Sequence, residues 1–319
     1  MDGSFKSKRI LVTGGAGFVG SNVANRLQKE KAKVTVLDNL FTGREEFLND
    51  GIRFVYGNVT DPILVQELIY KHDIIVHCAV RNIIVSTKEP IEDYDTNLLG
   101  TLNVLNAMKK AGRGRLIYTS SASVYGNALF YPTTELEVGH TLTPYAASKL
   151  SSEHFCQCYY SSFGVESVSL RLSNVYGTNQ SPQNPYCGVM SKVITAISKD
   201  EKVTIFGDGR QSRDFCYIDD VVNAVLLAAK NDKAIGKVYN VASGTDTKIE
   251  ELVAIIAEAM NSRADIEYKE KRDIDTIYKR QLAISKIMND LSWNPGVDLR
   301  SGIEKTIKWL REKNEINNI

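Results

Sequence analysis

The feature that most constrains the fold is a regular alternation of short apolar runs with amphipathic helical segments. Continuous apolar runs predict strands at 9–13, 34–38, 52–56, 74–78, 115–120 and 167–172. Helical periodicity predicts helices at 20–30, 61–70, 97–111 and 144–163. Strands that are apolar throughout are buried on both faces, and helical crossovers make neighbouring strands parallel. The sequence therefore predicts an α/β fold built on a doubly wound parallel sheet.

Beyond residue 172 the alternation becomes looser. Segment 173–188 is rich in Asn, Gln, Pro, Gly and Tyr, which predicts a long functional loop. Helices are predicted at 189–199, 219–230, 249–259, 285–291 and 301–313. We therefore predict a larger domain from residues 1–172 and 211–243, and a smaller mixed α/β domain from residues 173–210 and 244–319.

The composition argues against several classes of function. Lys and Arg number 39 against 38 for Asp and Glu, so the net charge of +1 provides no general attraction for nucleic acid or an anionic membrane. No apolar run approaches the roughly 20 residues of a membrane span, and the first residues do not resemble a secretory signal. The five cysteines have neither disulfide-framework nor zinc-site spacing. We expect a cytoplasmic protein with reduced cysteines and no metal site.

A glycine-rich turn lies directly after the first predicted strand and before the first predicted helix. Gly14 permits the tight turn, Gly17 keeps a side chain away from an approaching pyrophosphate, and Gly20 lets the helix pack on the sheet. The N–H groups at the helix start, at Phe18 and Val19, favour phosphate. A tight turn without a ligand is the alternative. The position between strand and helix favours dinucleotide binding.

Asp38 ends the second predicted strand, roughly twenty residues after the glycine turn. A carboxylate there can accept hydrogen bonds from both hydroxyls of the adenosine ribose, and it would repel the 2′-phosphate of NADP. The alternative is a solvated Asp at a strand end. The spacing favours the first interpretation and predicts NAD as the cofactor.

Three polar residues predict a proton-transfer site. Tyr145 and Lys149 lie four residues apart at the start of a predicted helix and share one of its faces. A nearby ammonium group and the positive nicotinamide ring favour the phenolate, which lets Tyr145 act as a general base. Ser121 follows a predicted strand, where strand ends line the ligand crevice, and its hydroxyl can relay a proton. A polar loop beside an amphipathic helix is the alternative, and the three residues in this order favour catalysis.

These motifs resemble those of the extended short-chain dehydrogenase/reductase family, in its branch of nucleotide-sugar epimerases and dehydratases, most closely the UDP-glucose 4-epimerase group. The resemblance runs from about residue 9 to residue 309. It implies a Rossmann domain that binds NAD, a C-terminal domain that binds a UDP-linked sugar, and a homodimer through the helices of Asn97 and Tyr145. The motifs that carry it are LVTGGAGFVGS, VLDNLFTG, YDTNLLGTLNVL, SSASVYG, TPYAASK, RLSNVYG, TIFGDGRQSRDFCYIDD, YNVASG and LSWNP.

The resemblance also implies roles for single residues. Ser121, Tyr145 and Lys149 correspond to the catalytic residues, and the lysine also binds the nicotinamide ribose. The implied cofactor positions are Gly14, Gly17, Phe18, Val19, Asp38, Asn39, Asn58, Val59, Ala79, Asn97, Tyr145 and Lys149. The implied substrate positions are Ser121, Ser123, Asn174, Arg213, Arg272 and Asp275. The planar guanidinium groups of the two arginines suit a diphosphate.

Two departures from the family pattern matter for ligand binding. Asn58 stands where the family has Asp beside the adenine, and its amide oxygen can still accept from the adenine amine. The stretch after Arg272 is one residue longer than usual, which places Lys279 or Arg280 where relatives carry the residue that limits bulk near the sugar. A cation there could pair with an acidic sugar or point to solvent, and we expect it to point to solvent.

The residues after Ser121 narrow the reaction. Dehydratases of this branch carry an Asp-Glu pair there and decarboxylating relatives a Glu, whereas this chain has Ala122 and Ser123. Without an added acid and base, oxidation and re-reduction is the chemistry that remains. The sequence therefore predicts epimerisation at carbon 4 through a 4-keto sugar. A 4,6-dehydratase, a uronate epimerase or decarboxylase, and a non-catalytic NAD-binding protein stay open as alternatives.

Overall fold

The computed structural model describes residues 5–137, 140–184, 186–272 and 276–316. The strands are, in chain order, β1 (Arg9–Thr13), β2 (Lys33–Asp38), β3 (Arg53–Tyr56), β4 (Ile74–His77), β5 (Arg115–Ser121), β6 (Glu166–Leu172), β7 (Asn174–Tyr176), β8 (Val203–Phe206), β9 (Ser212–Tyr217), β10 (Val238–Val241), β11 (Asp246–Lys248) and β12 (Ile266–Lys269). The helices are α1 (Phe18–Lys29), α2 (Pro62–Ile69), α3 (Ile83–Lys88), α4 (Pro90–Asp93), α5 (Gly100–Ala111), α6 (Pro144–Phe163), α7 (Val189–Ser198), α8 (Ile218–Lys230), α9 (Ile249–Ala259), α10 (Ser285–Leu291) and α11 (Leu299–Glu312). A π-helical turn, Tyr94–Leu99, joins α4 to α5.

In the described part of the chain, seven strands form one parallel sheet in the order β10-β6-β5-β4-β1-β2-β3. Ile10 and Val12 of β1 pack into the hydrophobic core on one face, together with α1 and α8. Leu11 packs into the core on the other face, with α2, α5 and α6. The predicted doubly wound parallel sheet is confirmed. Strand order reverses between β1 and β4, and such a switch point opens a ligand crevice at the carboxyl ends of the strands.

Two smaller sheets lie outside the main one. β11, β9 and β7 form the first, and β12 pairs with β8 in the second. The prediction that 173–188 is a loop throughout is wrong, because β7 lies within it and pairs in parallel with β9. A three-residue strand has too few residues to show a pattern of its own, so its distant partner defines it.

Segment 211–243 is divided between two of the sheets. β9 belongs to the three-stranded sheet, whereas α8 packs into the core of the main sheet and β10 forms its edge beside β6. The strand β10 thus extends the large sheet with a segment that is distant in sequence. The exact division of the chain into two domains stays a prediction.

The described ranges contain no helix that combines the length and the apolar character needed to cross a membrane. Within those ranges, no group of three His, Cys, Asp or Glu side chains is arranged to hold a metal ion. The cysteines at positions 78, 156, 158, 187 and 216 are free thiols.

Candidate active site

The glycine turn between β1 and α1 is a close-packed cradle. Gly14 has a left-handed backbone with φ of +65°, and a Cβ there would lie 2.5 Å from the backbone nitrogen of Ala79. A Cβ on Gly20 would lie 2.2 Å from the carbonyl oxygen of Gly14. A Cβ on Gly17 would meet only that same oxygen, at 3.2 Å. Packing therefore requires Gly14 and Gly20, whereas the side of Gly17 is open, as the predicted approach of a pyrophosphate requires.

Asp38 closes another side of this cradle. It is 8% exposed, its Oδ2 accepts from the N–H of Ala16 at 2.9 Å, and its Oδ1 accepts from the N–H of Leu40 at 2.8 Å. Burial raises the pKa of its carboxyl group, and the backbone hydrogen bonds oppose that rise. A carboxylate has lone pairs left after two such bonds, so Asp38 can still accept from ribose hydroxyls.

Four further predicted cofactor residues lie at the ends of β2, β3 and β4. The side-chain oxygens of Asn39 and Asn58 accept from backbone N–H groups two residues further along, at 3.1 and 3.2 Å. Val59 is 3% exposed, and the backbone of Ala79 lies against the glycine turn. These residues therefore border the crevice at the carboxyl edge of the sheet.

Asn97 lies buried in the π-helical turn, and neighbouring groups occupy its amide. Its side-chain oxygen accepts from the N–H of Arg81 at 2.7 Å, and its nitrogen donates to the Arg81 carbonyl at 3.1 Å. The same nitrogen donates to the carboxylate of Asp93 and lies 3.3 Å from the hydroxyl of Ser148 on α6. Asn97 thus joins the segment after β4 to α6 and shapes the crevice wall.

The residues predicted for proton transfer come together at the end of β5 and the start of α6. Ser121 ends β5, and its hydroxyl donates to that of Ser123 at 3.1 Å. The side chain of Thr143 caps α6, and Pro144 occupies the first helical position. Tyr145 and Lys149 therefore lie in the first two turns of this helix, as the sequence predicts.

Burial dominates the electrostatics of this group. Burial raises the pKa of the Tyr145 phenol, and the side chain of Ser121 and the charge of Arg280 oppose the rise. Burial also lowers the pKa of Lys149 to about 8, and its ammonium group donates to the carbonyl of Thr119 at 2.6 Å. The phenol is therefore neutral at pH 7, and ionising it near neutrality requires a further positive charge, such as an oxidised nicotinamide ring.

A buried ion pair fixes α6 against the sheet. Arg171 of β6 donates through Nε and Nη2 to the carboxylate of Glu153 on α6, at 3.1 and 2.8 Å. Their side chains are 7% and 2% exposed, and Ser120 of β5 donates to the same carboxylate. Although burial alone lowers it, the neighbouring carboxylate raises the pKa of Arg171 above its usual value. This network orients the helix that carries Tyr145.

Glu153→Gln is expected to lower the free energy of unfolding by about 3–5 kcal/mol, because it leaves the Arg171 guanidinium buried without a counter-charge. Denaturant unfolding measured at pH 7 tests this. The double variant Glu153→Leu with Arg171→Met removes both charges and is expected to recover most of the loss. Equal stability of Glu153→Gln and wild type would contradict a structural role for the pair.

Two of the predicted substrate residues lie on neighbouring strands just beyond the main sheet. Asn174 begins β7 and is paired in register with Phe215 of β9, two residues after Arg213. The guanidinium of Arg213 donates to the carbonyls of Ser212 and Ile277, at 2.8 and 2.9 Å. Arg213 therefore also holds the segment around residue 277 against β9.

The two remaining predicted substrate positions are Arg272 and Asp275. Arg272 is exposed, and its guanidinium carbon lies 4.4 Å from the ring centroid of Phe206 in β8. Asp275 lies outside the described residues.

The expectation that the cation at 279 or 280 points to solvent is wrong for Arg280. The ammonium group of Lys279 lies 3.6 Å from the Asp246 carboxylate, with 39% of its side chain exposed. Arg280, one residue further, is only 9% exposed. The sequence showed two adjacent cations and could not indicate which of them the neighbouring strand buries.

An aromatic stack lies beside the first turn of α1. That turn contains Phe18 and Val19, two of the predicted cofactor residues. The sequence analysis did not predict the stack. The rings of Phe41 and Tyr186 are nearly parallel, at 10°, with centroids 6.2 Å apart. The guanidinium of Arg81 lies 3.7 Å from the Phe41 centroid. The described residues of the predicted loop after residue 180 thus contact the loop after β2, and a pocket of about 440 Å³ lies between the two.

Comparison with known proteins identifies the family. The model of the NAD-dependent epimerase/dehydratase family matches residues 10–242. The chain belongs to this family. Its cofactor is NAD, in agreement with the shape of the glycine cradle and with the position of Asp38.

Individual members of the family resemble the chain over almost its full length. A putative UDP-glucose 4-epimerase of Methanocaldococcus jannaschii is 36% identical over 96% of this chain and 99% of its own length. UDP-glucuronic acid decarboxylase 1 of Arabidopsis thaliana is 32% identical over 97% of this chain and 71% of its own. The crystal structure of UDP-glucose 4-epimerase from Thermotoga maritima with UDP-glucose matches with a TM-score of 0.92 at 32% identity, covering 96% of this chain and 99% of that one. The relatives thus include both epimerases and decarboxylases.

Proposed function

We propose that this protein epimerises a UDP-linked sugar at carbon 4 through a transient 4-keto sugar. The observation that carries the proposal is the position of Ser121 and Tyr145 at the crevice, with Ala122 and Ser123 where dehydration would require carboxylates. Similarity to a UDP-glucose 4-epimerase solved with UDP-glucose supports the choice of substrate class.

The catalytic residues divide the proton chemistry between them. Tyr145 removes the proton of the sugar 4-hydroxyl as general base and later returns it to the oxygen on carbon 4. Ser121 holds that oxygen by a hydrogen bond and relays the proton. When bound, NAD would supply the hydride acceptor for carbon 4 and then the hydride donor to the opposite face of the sugar. Lys149 binds the nicotinamide ribose and adds positive charge near the phenol.

The diphosphate anchors the substrate while the sugar turns between the two half-reactions. Arg213 and Arg272 supply guanidinium groups for the phosphate oxygens, Asn174 contacts the sugar side, and Asp275 binds a ribose hydroxyl. Because the keto sugar must present both faces to the same cofactor, its ring must rotate while the diphosphate stays in place. Few residues can therefore bind the sugar ring itself, since each such contact would oppose the rotation.

A second candidate is a uronate epimerase or decarboxylase that uses the same site. Similarity to a UDP-glucuronic acid decarboxylase favours it. A nucleotide-sugar 4,6-dehydratase is the weaker alternative, because Ala122 and Ser123 supply no carboxylate for elimination.

A homodimer through α5 and α6 is part of the proposal. On α6, Phe155 and Phe163 are 37% and 50% exposed, whereas Leu105 of α5 is fully buried within the chain. The exposed rings offer apolar surface to a second copy, while Leu105 already serves the core.

Incubation with a panel of UDP-sugars, followed by NMR and mass spectrometry of the products, tests the proposal. We expect a 4-epimer of unchanged mass, formed without added reductant because the cofactor is regenerated in each cycle. A product lighter by one water would indicate a dehydratase, and one lighter by carbon dioxide a decarboxylase. No conversion of any UDP-sugar would contradict enzymatic epimerisation.

A further inference from the structure

A carboxylate beyond the last helix is buried where three distant parts of the chain meet. The side chain of Glu315, which follows α11, is only 6% exposed. Its Oε1 accepts from the guanidinium of Arg44 at 3.0 Å and from the hydroxyl of Ser181 at 2.9 Å. Arg44 follows β2 and Ser181 follows β7, so this carboxylate joins the 39–44 loop to the 178–184 loop. Burying a carboxylate is costly unless it is paired, and here the pairing connects two loops.

The first of these loops, 39–44, lies directly on the cofactor cradle. The N–H of Arg44 donates to the carbonyl of Ala16, in the glycine turn, at 2.9 Å. A Cβ built on Gly43 would lie 3.0 Å from Oδ1 of Asp38 and 3.0 Å from Ala16. A displacement of Arg44 would therefore reach, over a few atoms, both the turn and the carboxylate that are assigned to NAD.

The second loop lies against the first turns of α1. The side-chain nitrogen of Asn22 donates to the carbonyl of Thr178 at 2.9 Å, and that of Asn179 donates to the hydroxyl of Ser21 at 3.0 Å. The pocket of about 440 Å³ separates the two loops, and Phe18 lines it. Because the N–H of Phe18 is one of those expected to bind phosphate, both loops border the place assigned to the pyrophosphate.

Arg44 bridges the two loops through both ends of its guanidinium. Nη1 donates to Glu315, and Nη2 donates to the side-chain oxygen of Gln183 at 2.6 Å. The planar fork thus has two partners in fixed directions. Glu46 also lies 3.2 Å from Arg44, but its side chain is 68% exposed, so solvent screens that attraction. The buried carboxylate of Glu315 is therefore the stronger charged partner, and a hydrogen bond to it is stronger than one to the neutral amide.

We propose that Glu315 is a positioning residue for the cofactor: it holds the two loops together across the pocket and thereby slows the release of NAD. The inference goes beyond the proposed function, because it concerns retention of the cofactor and is independent of the reaction at the sugar. Separation of the loops requires breaking the hydrogen bonds of a buried carboxylate. Slow release suits a reaction in which the same cofactor molecule must return the hydride that it has taken.

The test measures binding of the nicotinamide nucleotide without any sugar. The full-length protein is loaded with NADH and mixed with excess NAD, and the loss of bound-NADH fluorescence gives the release rate. Glu315→Gln keeps the size of the side chain and removes its charge. We expect release to become at least about tenfold faster, since a hydrogen bond to a charged group is replaced by a weaker neutral one. The association rate is expected to change less than about threefold, so the affinity falls through release.

Two further variants control the result. Glu30→Gln removes another sheltered carboxylate, 11% exposed, whose partner Arg26 lies 3.2 Å away on the same helix, and it is expected to release NADH as wild type does. Ser181→Ala removes a single hydrogen bond to Glu315, and we expect release about threefold faster. Combined with Glu315→Gln, it is expected to add less than about twofold, because both changes break the same link between the loops.

The outcomes separate retention of the cofactor from a purely structural role. A lower thermal midpoint of Glu315→Gln without nucleotide, together with an unchanged release rate, would assign the carboxylate to folding alone and overturn the inference. Equally faster release from Glu30→Gln would show that general loosening of the fold is the cause, and would also overturn it. If Glu315→Gln does not fold, Ser181→Ala decides, and release from that variant at the wild-type rate overturns the inference.

Discussion

The substitution Tyr145→Phe is expected to reduce kcat about a thousandfold, within the range that loss of a general base produces. The phenol hydroxyl is the group proposed to exchange a proton with the sugar, and Tyr145 is half-buried, with its phenol pKa raised by burial. The ring itself remains, so the start of α6 keeps its packing. We expect the thermal midpoint and the NAD affinity to change little. Steady-state kinetics, thermal unfolding and calorimetry with NAD measure these three quantities.

Tyr160→Phe is the matched control for this experiment. Tyr160 lies on the same helix and is 39% exposed, so removal of its hydroxyl should leave kcat unaltered. Near-normal turnover by Tyr145→Phe would show that the proton passes to another group. A thousandfold loss accompanied by unfolding would instead show that the hydroxyl is structural.

Gly20→Ala is expected to destabilise the protein by about 3 kcal/mol or to prevent folding. The new methyl group would lie 2.2 Å from the Gly14 carbonyl oxygen and 2.7 Å from the Gly15 Cα, and both contacts are with backbone that cannot rotate away. The helix α1 would have to move from the sheet, and the NAD cradle would open with it. Denaturant unfolding without nucleotide measures the loss directly.

Gly17→Ala separates cofactor binding from packing within the same turn. Gly17 has φ of −76°, which alanine adopts readily, and the new methyl group would meet only the Gly14 carbonyl oxygen at 3.2 Å. We expect stability within about 1 kcal/mol of wild type and NAD affinity at least about tenfold lower, because the methyl group occupies the approach of the pyrophosphate. Unchanged NAD affinity would mean that the pyrophosphate lies elsewhere.

The main sheet could be predicted because its strands are continuous apolar runs. The strand 9–13 is predicted at its observed bounds, as is the helix 144–163, which begins with a threonine cap and a proline. The strand β7 could not be predicted, because it consists of three residues and is defined by its pairing with β9. The π-helical turn Tyr94–Leu99 was missed for a similar reason, since its hydrogen-bond pattern leaves no distinct periodicity in so few residues.

The candidate site shows the same division between local and long-range information. Gly14, Gly17, Asp38, Tyr145 and Lys149 could be selected from spacing, because each lies at a strand end or helix start that the local pattern defines. The contacts of Lys149 with Thr119 and of Glu153 with Arg171 join segments distant in sequence, so spacing alone does not reveal them. Burial among these distant segments lowers the pKa of Lys149, and the Glu153–Arg171 pair orients α6.

By itself, the sequence determined the parallel α/β fold, the NAD turn and the Ser-Tyr-Lys constellation, because hydrophobic periodicity and turn chemistry are local properties of the chain. Only the tertiary structure showed which of the two cations, Lys279 or Arg280, is buried. The two are adjacent and similarly charged, but backbone pairing with β9 and the loop before α6 buries Arg280 and leaves Lys279 half exposed beside Asp246. Burial of a charge depends on what surrounds it in space, and that surrounding comes from segments distant in sequence.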